Sequence, residues 1–246
     1  MRGDVDSSRR HILSAFCALA LLPLLPGCAT QRNAKGEEET RFDPKYLAKT
    51  EIDRVLDTSL EQVRETLFLL AEKFYRRNPR EWRKAGFGDL ESALAALRGF
   101  REKAPREIGE RKEGPAALQA FAPDYPGDRV AALMYGLLTM MDAAFEYKDE
   151  FFMLDSLNAQ KLYNCARNME IAMWKLASSR DAAGQPLLLA NELGETRNLS
   201  FEREFGRITG VLDLLARIVA DRSGRTITRV TQSLATSFFL PVGMLK

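Results

Sequence analysis

The feature that most constrains the fold is a run of uncharged residues from Val130 to Met141, which is apolar on nearly every side. A helix without a polar face is buried on all sides. The run has twelve residues, whereas a helix that spans a bilayer needs about 20. Asp128 precedes the run, and Asp is a favoured residue at helix N-termini. The run therefore predicts a helix at the centre of a domain.

Apolar residues three or four positions apart predict further helices around this one. No long alternation of apolar and polar residues predicts a strand, and prolines and glycines allow only short regular structure over residues 101–128. We expect an all-α fold, an irregular bundle or array of about six to eight helices. The predicted helices begin at Asp43-Pro44, Asn78-Pro79, Asp89, Asp128, near residue 156, at Asn198 or Ser200, and at Thr226, with Gly224 ending the one before the last.

The predicted helix over residues 156–179 has one apolar and one polar face. Cys165 falls on the apolar stripe, where a lone cysteine behaves as a small core residue. We expect Cys165 to be buried and the polar face to be exposed to solvent. The polar face consists of Lys161, Asn164, Asn168 and Lys175.

Gly206 and Gly210 lie four positions apart inside the last long helix. Glycine within a helix costs about 1 kcal/mol relative to alanine. We therefore expect something to approach this face closely, either a neighbouring helix of the same domain or a second copy of the chain.

The first residues have the pattern of an export signal. Arg9 and Arg10 precede an uncharged run from Ile12 to Gly27, which is typical of a secretory leader. Ser8-Arg9-Arg10 is similar to the twin-arginine export motif, whereas the strongly apolar run favours the general secretory route.

Leu25-Pro26-Gly27-Cys28 resembles the lipobox of bacterial prolipoproteins. The resemblance implies cleavage between Gly27 and Cys28, diacylglycerol on the Cys28 sulfur and acylation of the new amino terminus. Several acyl chains on one residue anchor a protein stably in a membrane. Ala29, rather than Asp, follows the cysteine, which implies the outer membrane, with the protein facing the periplasm.

These motifs divide the chain into three parts. Residues 1–27 are the predicted signal peptide, and 28–43 are a lipidated flexible tether with Glu37–Glu39 at its centre. Residues 44–246 are the predicted single all-α periplasmic domain.

Composition excludes several classes of chemistry. The only histidine, His11, lies in the predicted leader, so a mature chain would lack the base of Ser-His-Asp and Cys-His catalysis. Of the three cysteines, Cys17 leaves with the leader and Cys28 is lipidated, which leaves Cys165 without a disulfide partner. The formal net charge of +2 predicts no nucleic-acid partner. We expect no catalytic residue, no metal site and no cofactor.

Glu91-Ser92 resembles the pair that opens the active-site motif of lytic transglycosylases, helical enzymes that act on the cell wall. The resemblance implies that Glu91 is a catalytic acid. Glu in the first turn of a helix is equally typical of a solvated helix start, and the segment that the family has downstream is missing.

Arg217, Arg222, Arg225 and Arg229 form a basic region before Phe238-Phe239-Leu240-Pro241-Val242. This combination predicts an interaction surface for an acidic partner or an anionic membrane. The alternative is a solvated arginine face with the aromatic residues folded into the core.

The expected function is that of a non-enzymatic interaction or assembly subunit of the cell envelope, with the membrane and an envelope protein as partners. One alternative is a helical module that binds an apolar ligand. The other is a carboxylate-dependent cell-wall hydrolase.

Overall fold

The computed structural model describes residues 28–32, 38–42, 49–153, 155–192, 197–224, 226–229 and 238–245. The chain divides into two units, Met1–Thr50 and Glu51–Lys246. In the first unit, strand β1 (Cys28–Arg32) pairs antiparallel with β2 (Glu38–Phe42). The segment expected to be a flexible tether thus contains two short paired strands, which its polar composition does not predict.

The second unit is all-α, as predicted. Its described residues form seven α-helices and one 3-10 turn, Arg106–Ile108. The α-helices are α1 (Glu51–Arg77), α2 (Pro79–Lys84), α3 (Leu90–Arg98), α4 (Glu113–Gln119), α5 (Arg129–Ala144), α6 (Ala159–Ser178) and α7 (Ser200–Ser223). No helix among these residues combines the length and the apolar character needed to cross a membrane.

Helix α5 is the centre of this unit, which confirms the prediction from the uncharged run. Every residue of α5 is buried. Asp128 caps the helix, because its Oδ1 accepts a hydrogen bond from the backbone N–H of Ala131 at 2.9 Å. Helices α1, α4 and α6 pack against α5, and α7 packs against α6 and α1.

Helix α1 is the long amphipathic helix that the apolar spacing predicts, but it begins at Glu51. Lys49 and Thr50 are not helical, and the expected entry at Asp43-Pro44 lies outside the described residues. Acidic residues in the first turn and Arg76 and Arg77 in the last turn complement the helix dipole.

The polar face of α6 corrects an expectation. Cys165 is buried as predicted, but Lys161, Asn164 and Asn168 are buried as well. Residues 238–245 lie against this face and accept hydrogen bonds from Asn164 and Asn168, whereas Lys161 forms an ion pair with Glu146 at 2.8 Å. Polar side chains on one face of a helix can therefore be buried when they form hydrogen bonds to the backbone of another segment.

Helix α7 ends at Ser223 and is capped by Gly224, which has the left-handed conformation that favours glycine, with φ of 62°. At its start the side chain of Asn198 accepts a hydrogen bond from Ser200 N at 3.0 Å. The expected close approach of a neighbouring helix at Gly206 and Gly210 is wrong within the described structure, because outside α7 itself no atom lies within 4 Å of a Cβ built at either position. The alternative, a second copy of the chain on this face, stays a prediction. Helix α7 packs through its apolar stripe, and both glycines lie on the exposed face.

The helix predicted over Thr226–Phe238 is wrong at both ends. Residues 226–229 and 238–245 are irregular, and Val230 and Leu234 lie outside the described residues. Thr228 does not bond along a helix; it donates its N–H to Gln160 Oε1 at 2.8 Å and accepts from Gln160 Nε2 at 3.0 Å. Ile227 packs against the core, as expected.

Candidate functional site

A cavity of about 760 Å³ lies under α3 and reaches α1, α2 and α5. Ligand pockets in proteins span about 300–1,000 Å³ and are mostly apolar, with a few polar groups. The floor of this cavity fits that description, because all of its residues are buried and two of them carry a hydrogen-bonded polar pair. The floor consists of Tyr75, Ala93, Leu97, Phe100, Asp128, Ala131 and Tyr135.

Asp128 and Tyr75 form the polar pair. The Tyr75 hydroxyl donates a hydrogen bond to Asp128 Oδ2 at 2.8 Å, and Asp128 Oδ1 accepts from Ala131 N. Burial raises the pKa of Asp128 to about 6, although both hydrogen bonds favour its charged form. Burial, with the nearby Asp128 charge, also raises the pKa of Tyr75 well above its ordinary value, so its hydroxyl stays protonated.

A second buried carboxylate fixes the start of α5 beside this pair. Glu81 is fully buried in α2, and its Oε2 accepts hydrogen bonds from Arg129 N at 2.9 Å and Lys84 Nζ at 2.8 Å. The Arg129 guanidinium donates in turn to the carbonyls of Ala120, Ala122 and Pro123. The Asp128 carboxylate is therefore held in a rigid frame, as precise ligand contacts require.

Tyr125 lies beside Arg129 but does not line the cavity. It is buried and has no hydrogen-bond partner among the described residues. Burial, followed by the charge of Glu107, raises the pKa of Tyr125 to about 12. A Cβ at Gly127 would lie 2.6 Å from the Tyr125 hydroxyl and 3.0 Å from Glu107 Cβ. Glycine therefore avoids a steric clash at this position.

Charged side chains surround the mouth of the cavity. All of them are exposed, in contrast to the floor. An apolar floor with one polar pair and a charged mouth suits an amphipathic molecule, whose polar end stays in water or meets the mouth. The charged residues at the mouth are Lys84, Glu102, Lys103, Arg106 and Glu107.

Glu91 does not line this cavity. Its side chain is 77% exposed and forms an ion pair with Arg98 at 3.0 Å. Asp89 caps α3 by accepting a hydrogen bond from Ser92 N at 2.7 Å, as the sequence predicts. The Glu91-Ser92 pair is therefore the solvated first turn of α3.

The predicted basic surface is brought together only in part. Arg217 and Arg229 line one surface groove of about 520 Å³, together with Arg167, Asp213 and Asp221. Arg167 is tied to Asp213 at 2.6 Å, whereas Arg217 and Arg229 form no ion pair with another described residue.

The other two predicted arginines lie elsewhere. Arg222 points toward α1, with its guanidinium 3.8 Å from Asp53. Arg225 lies outside the described residues. Of the aromatic segment, Phe238 is 74% exposed while Val242 is fully buried.

Neither a thiol nor a metal cluster provides a second candidate site. Cys165 is buried, and burial raises the pKa of its thiol far above the ordinary value, so it is not a reactive thiolate. Over the described residues, no group of His, Cys, Asp and Glu side chains is placed to hold a metal ion.

The cavity could not be located from the sequence alone. Asp128 is recognisable as a helix cap, but its partner Tyr75 lies 53 positions earlier, on another helix. Scans of protein-family models, curated proteins and solved structures found no match to this chain.

Proposed function

We propose that this chain is a lipid-anchored envelope protein whose helical domain binds an amphipathic ligand in the cavity under α3. The anchoring rests on the lipobox that ends at Cys28. The binding role rests on one observation, the cavity of about 760 Å³ with an apolar floor and the Asp128–Tyr75 pair.

Binding explains this floor better than catalysis does. A carboxyl with a pKa near 6 in an apolar site resembles the general acid of a glycosidase. Both oxygens of Asp128, however, already accept hydrogen bonds, one from Tyr75 and one from Ala131 N. These bonds hold the pair in place, and the remaining lone pairs of the carboxylate can orient a polar group of a ligand. Proton transfer is not part of the proposal.

The ligand has an apolar body and a polar end. The apolar body contacts Leu97, Phe100 and Tyr135, and burying it supplies most of the binding free energy. A donor on the ligand meets Asp128, while an anionic end meets Lys103 or Arg106 at the mouth.

The test uses N-phenyl-1-naphthylamine, an apolar fluorophore that brightens when it leaves water. Ala96 lies exposed on α3 and lines the cavity, so Ala96→Trp blocks the mouth without changing the core. We expect Ala96→Trp to reduce fluorophore affinity about tenfold or more, and Glu91→Gln, a change on the same helix outside the cavity, to leave it unchanged. Equal binding by wild type and a folded Ala96→Trp protein would show that the cavity is not the site.

A second candidate is an interaction or assembly subunit that meets an acidic partner. The observation that favours it is the groove in which Arg217 and Arg229 are exposed without an ion pair among the described residues. The double variant Arg217→Glu with Arg229→Glu should reduce co-purification of envelope partners from cross-linked membranes. Arg54→Glu, a change of an exposed arginine in α1, is the matched control.

A further inference from the structure

Three amide side chains on one face of α6 hold the main chain of other segments. Gln160, Asn164 and Asn168 are spaced four residues apart, so they lie in a line along the helix. We call these three residues the amide row. Gln160 makes two hydrogen bonds to the main chain of Thr228, and it also donates to Asn164 Oδ1 at 2.9 Å. The rest of the row meets residues 238–245.

Asn168 binds Leu240 as a neighbouring strand would. Leu240 N donates to Asn168 Oδ1 at 2.7 Å, and Asn168 Nδ2 donates to Leu240 O at 2.9 Å. Asn164 Nδ2 then donates to the carbonyl of Pro241 at 2.8 Å. Proline has no N–H to leave unpaired, so a proline is well suited to this position. The amide row thus recognises an extended main chain.

Contacts on either side of Pro241 restrict which side chains fit in the groove. Val242 is fully buried, and Gly243 N donates to Glu113 Oε2 at 3.0 Å. A Cβ at Gly243 would clash with Glu113 Oε1, so the carboxylate would have to move away. At the other end, a Cβ at Gly114 would lie 2.5 Å from Phe239 Cβ. The groove therefore fits an apolar residue, proline, a small apolar residue and glycine in that order.

Strained backbone is concentrated around the same groove. Among the residues that the structure describes, three non-glycine residues have left-handed φ values, Glu113 at 51°, Glu146 at 55° and Tyr147 at 60°. Glu113 accepts a hydrogen bond from Gly243 N, and the Tyr147 hydroxyl lies 3.1 Å from the Cβ position of Gly243. Glu146 forms an ion pair at 2.8 Å with the buried Lys161. Such strain persists where the surroundings enforce it, and it is typical of ligand-binding sites.

We propose that this groove is a peptide-recognition site and that residues 238–245 occupy it as an internal peptide. Side chains, rather than a helix or sheet of the domain, hold Leu240, Pro241 and Gly243. An extended segment of a partner protein with the same order of residues can therefore replace them. Displacement of residues 238–245 exposes Asn164 and Asn168 of the amide row to that partner, while Gln160 keeps its contacts to Thr228. This inference does not depend on ligand binding in the cavity under α3.

The experiment uses the full chain and a fluorescein-labelled peptide with the sequence of residues 238–245. Val242→Asp places a charge in a fully buried position and expels the internal peptide while the groove keeps its residues. We expect the peptide to bind Val242→Asp at least tenfold more tightly than wild type, as measured by fluorescence polarisation. Adding Asn168→Ala removes two hydrogen bonds and should weaken that binding about tenfold or more. Gln185→Ala, an exposed amide in another turn, should have no effect.

Three results would overturn the proposal. One is a folded Val242→Asp protein that does not bind the peptide. Another is a Val242→Asp protein that loses its helical circular dichroism, because residues 238–245 would then be part of the core. The third comes from hydrogen exchange of wild type, in which the amides of Leu240 and Gly243 should open faster than those of α5. If the amides of Leu240 and Gly243 exchange only when the whole protein unfolds, residues 238–245 are not released from the groove and the proposal is wrong.

Discussion

At the scale of single residues, hydrogen bonding and burial have opposite effects on the ionisation of Asp128. Its carboxylate caps α5 and binds Tyr75, and both contacts favour the charged form. Burial favours the neutral form and has the larger effect, so the pKa rises from 3.8 to about 6. Burying a carboxylate costs stability, and such costly ionisable groups are typical of functional sites. The ligand-binding proposal therefore depends on Asp128.

The raised pKa of Asp128 predicts a loss of stability as the pH increases. Below about pH 4 the group is protonated in the folded and unfolded states, and its contribution to stability is fully present. As the pH rises through 6, the folded state has to ionise a buried group and that contribution is lost. A rise from 3.8 to about 6 corresponds to about 3 kcal/mol, at about 1.4 kcal/mol per pKa unit.

Asp128→Asn keeps a residue that caps helices and removes the titration. Between pH 4 and pH 7, the free energy of unfolding of the variant should therefore rise relative to wild type by about 2–3 kcal/mol. Urea unfolding followed by circular dichroism at several pH values measures this difference. Other groups with shifted pKa values, such as Asp149 and Glu170, are present in both proteins and cancel. Parallel curves for the two proteins would contradict the raised pKa.

At the scale of secondary-structure elements, two helices contain glycines for different reasons. Gly136 in α5 is the point of closest approach between α5 and α4, where a Cβ would lie 2.5 Å from Ala117 N and 2.7 Å from Glu113 O. Both of these are main-chain atoms, so they cannot rotate away. Gly206 in α7 is exposed, and no described atom lies within 4 Å of its Cβ position.

Alanine substitutions at these two glycines should therefore have opposite effects. Gly136→Ala overpacks the α4–α5 contact and should reduce the free energy of unfolding by about 3 kcal/mol. Gly206→Ala should increase it by about 1 kcal/mol, because alanine is the better helix residue and fits without a clash. Urea midpoints of the two variants measure both effects. A destabilised Gly206→Ala protein would indicate that the exposed face of α7 is covered in solution, for example by a second copy of the chain.

At the scale of the whole molecule, the sequence predicted the fold where one local pattern decides it. The uncharged run Val130–Met141 is the buried helix α5, and Asp128, Asp89 and Gly224 cap helices as expected. Prediction failed where distant segments meet. Asn164 and Asn168 have the spacing of a solvated face but bind residues 77 and 72 positions away. Nothing local distinguishes an amide that binds water from one that binds main chain.

The candidate site was hidden from the sequence for the same reason. The Asp128–Tyr75 pair joins two helices, and the cavity depends on how α3 crosses them, which helical periodicity does not specify. The sequence placed its candidate acid at Glu91, in a first turn that is solvated. Two of the four predicted arginines, Arg217 and Arg229, share a groove because they happen to flank the end of α7.

The last prediction concerns the cellular location of the protein. The proposed membrane anchoring rests on the motif Leu25-Pro26-Gly27-Cys28. Cys28→Ser removes the sulfur that would carry diacylglycerol, and the loss of several acyl chains should move the protein from the membrane fraction to the soluble fraction. Gly27 and Cys28 also flank the expected cleavage site, so an inhibitor of the lipoprotein signal peptidase should make the uncleaved wild-type precursor accumulate. Cys165→Ser changes the buried cysteine of the domain and should leave the wild-type distribution intact, which makes it the matched control. If Cys28→Ser protein stays wholly in the membrane fraction after a high-salt wash, the lipid anchor is wrong.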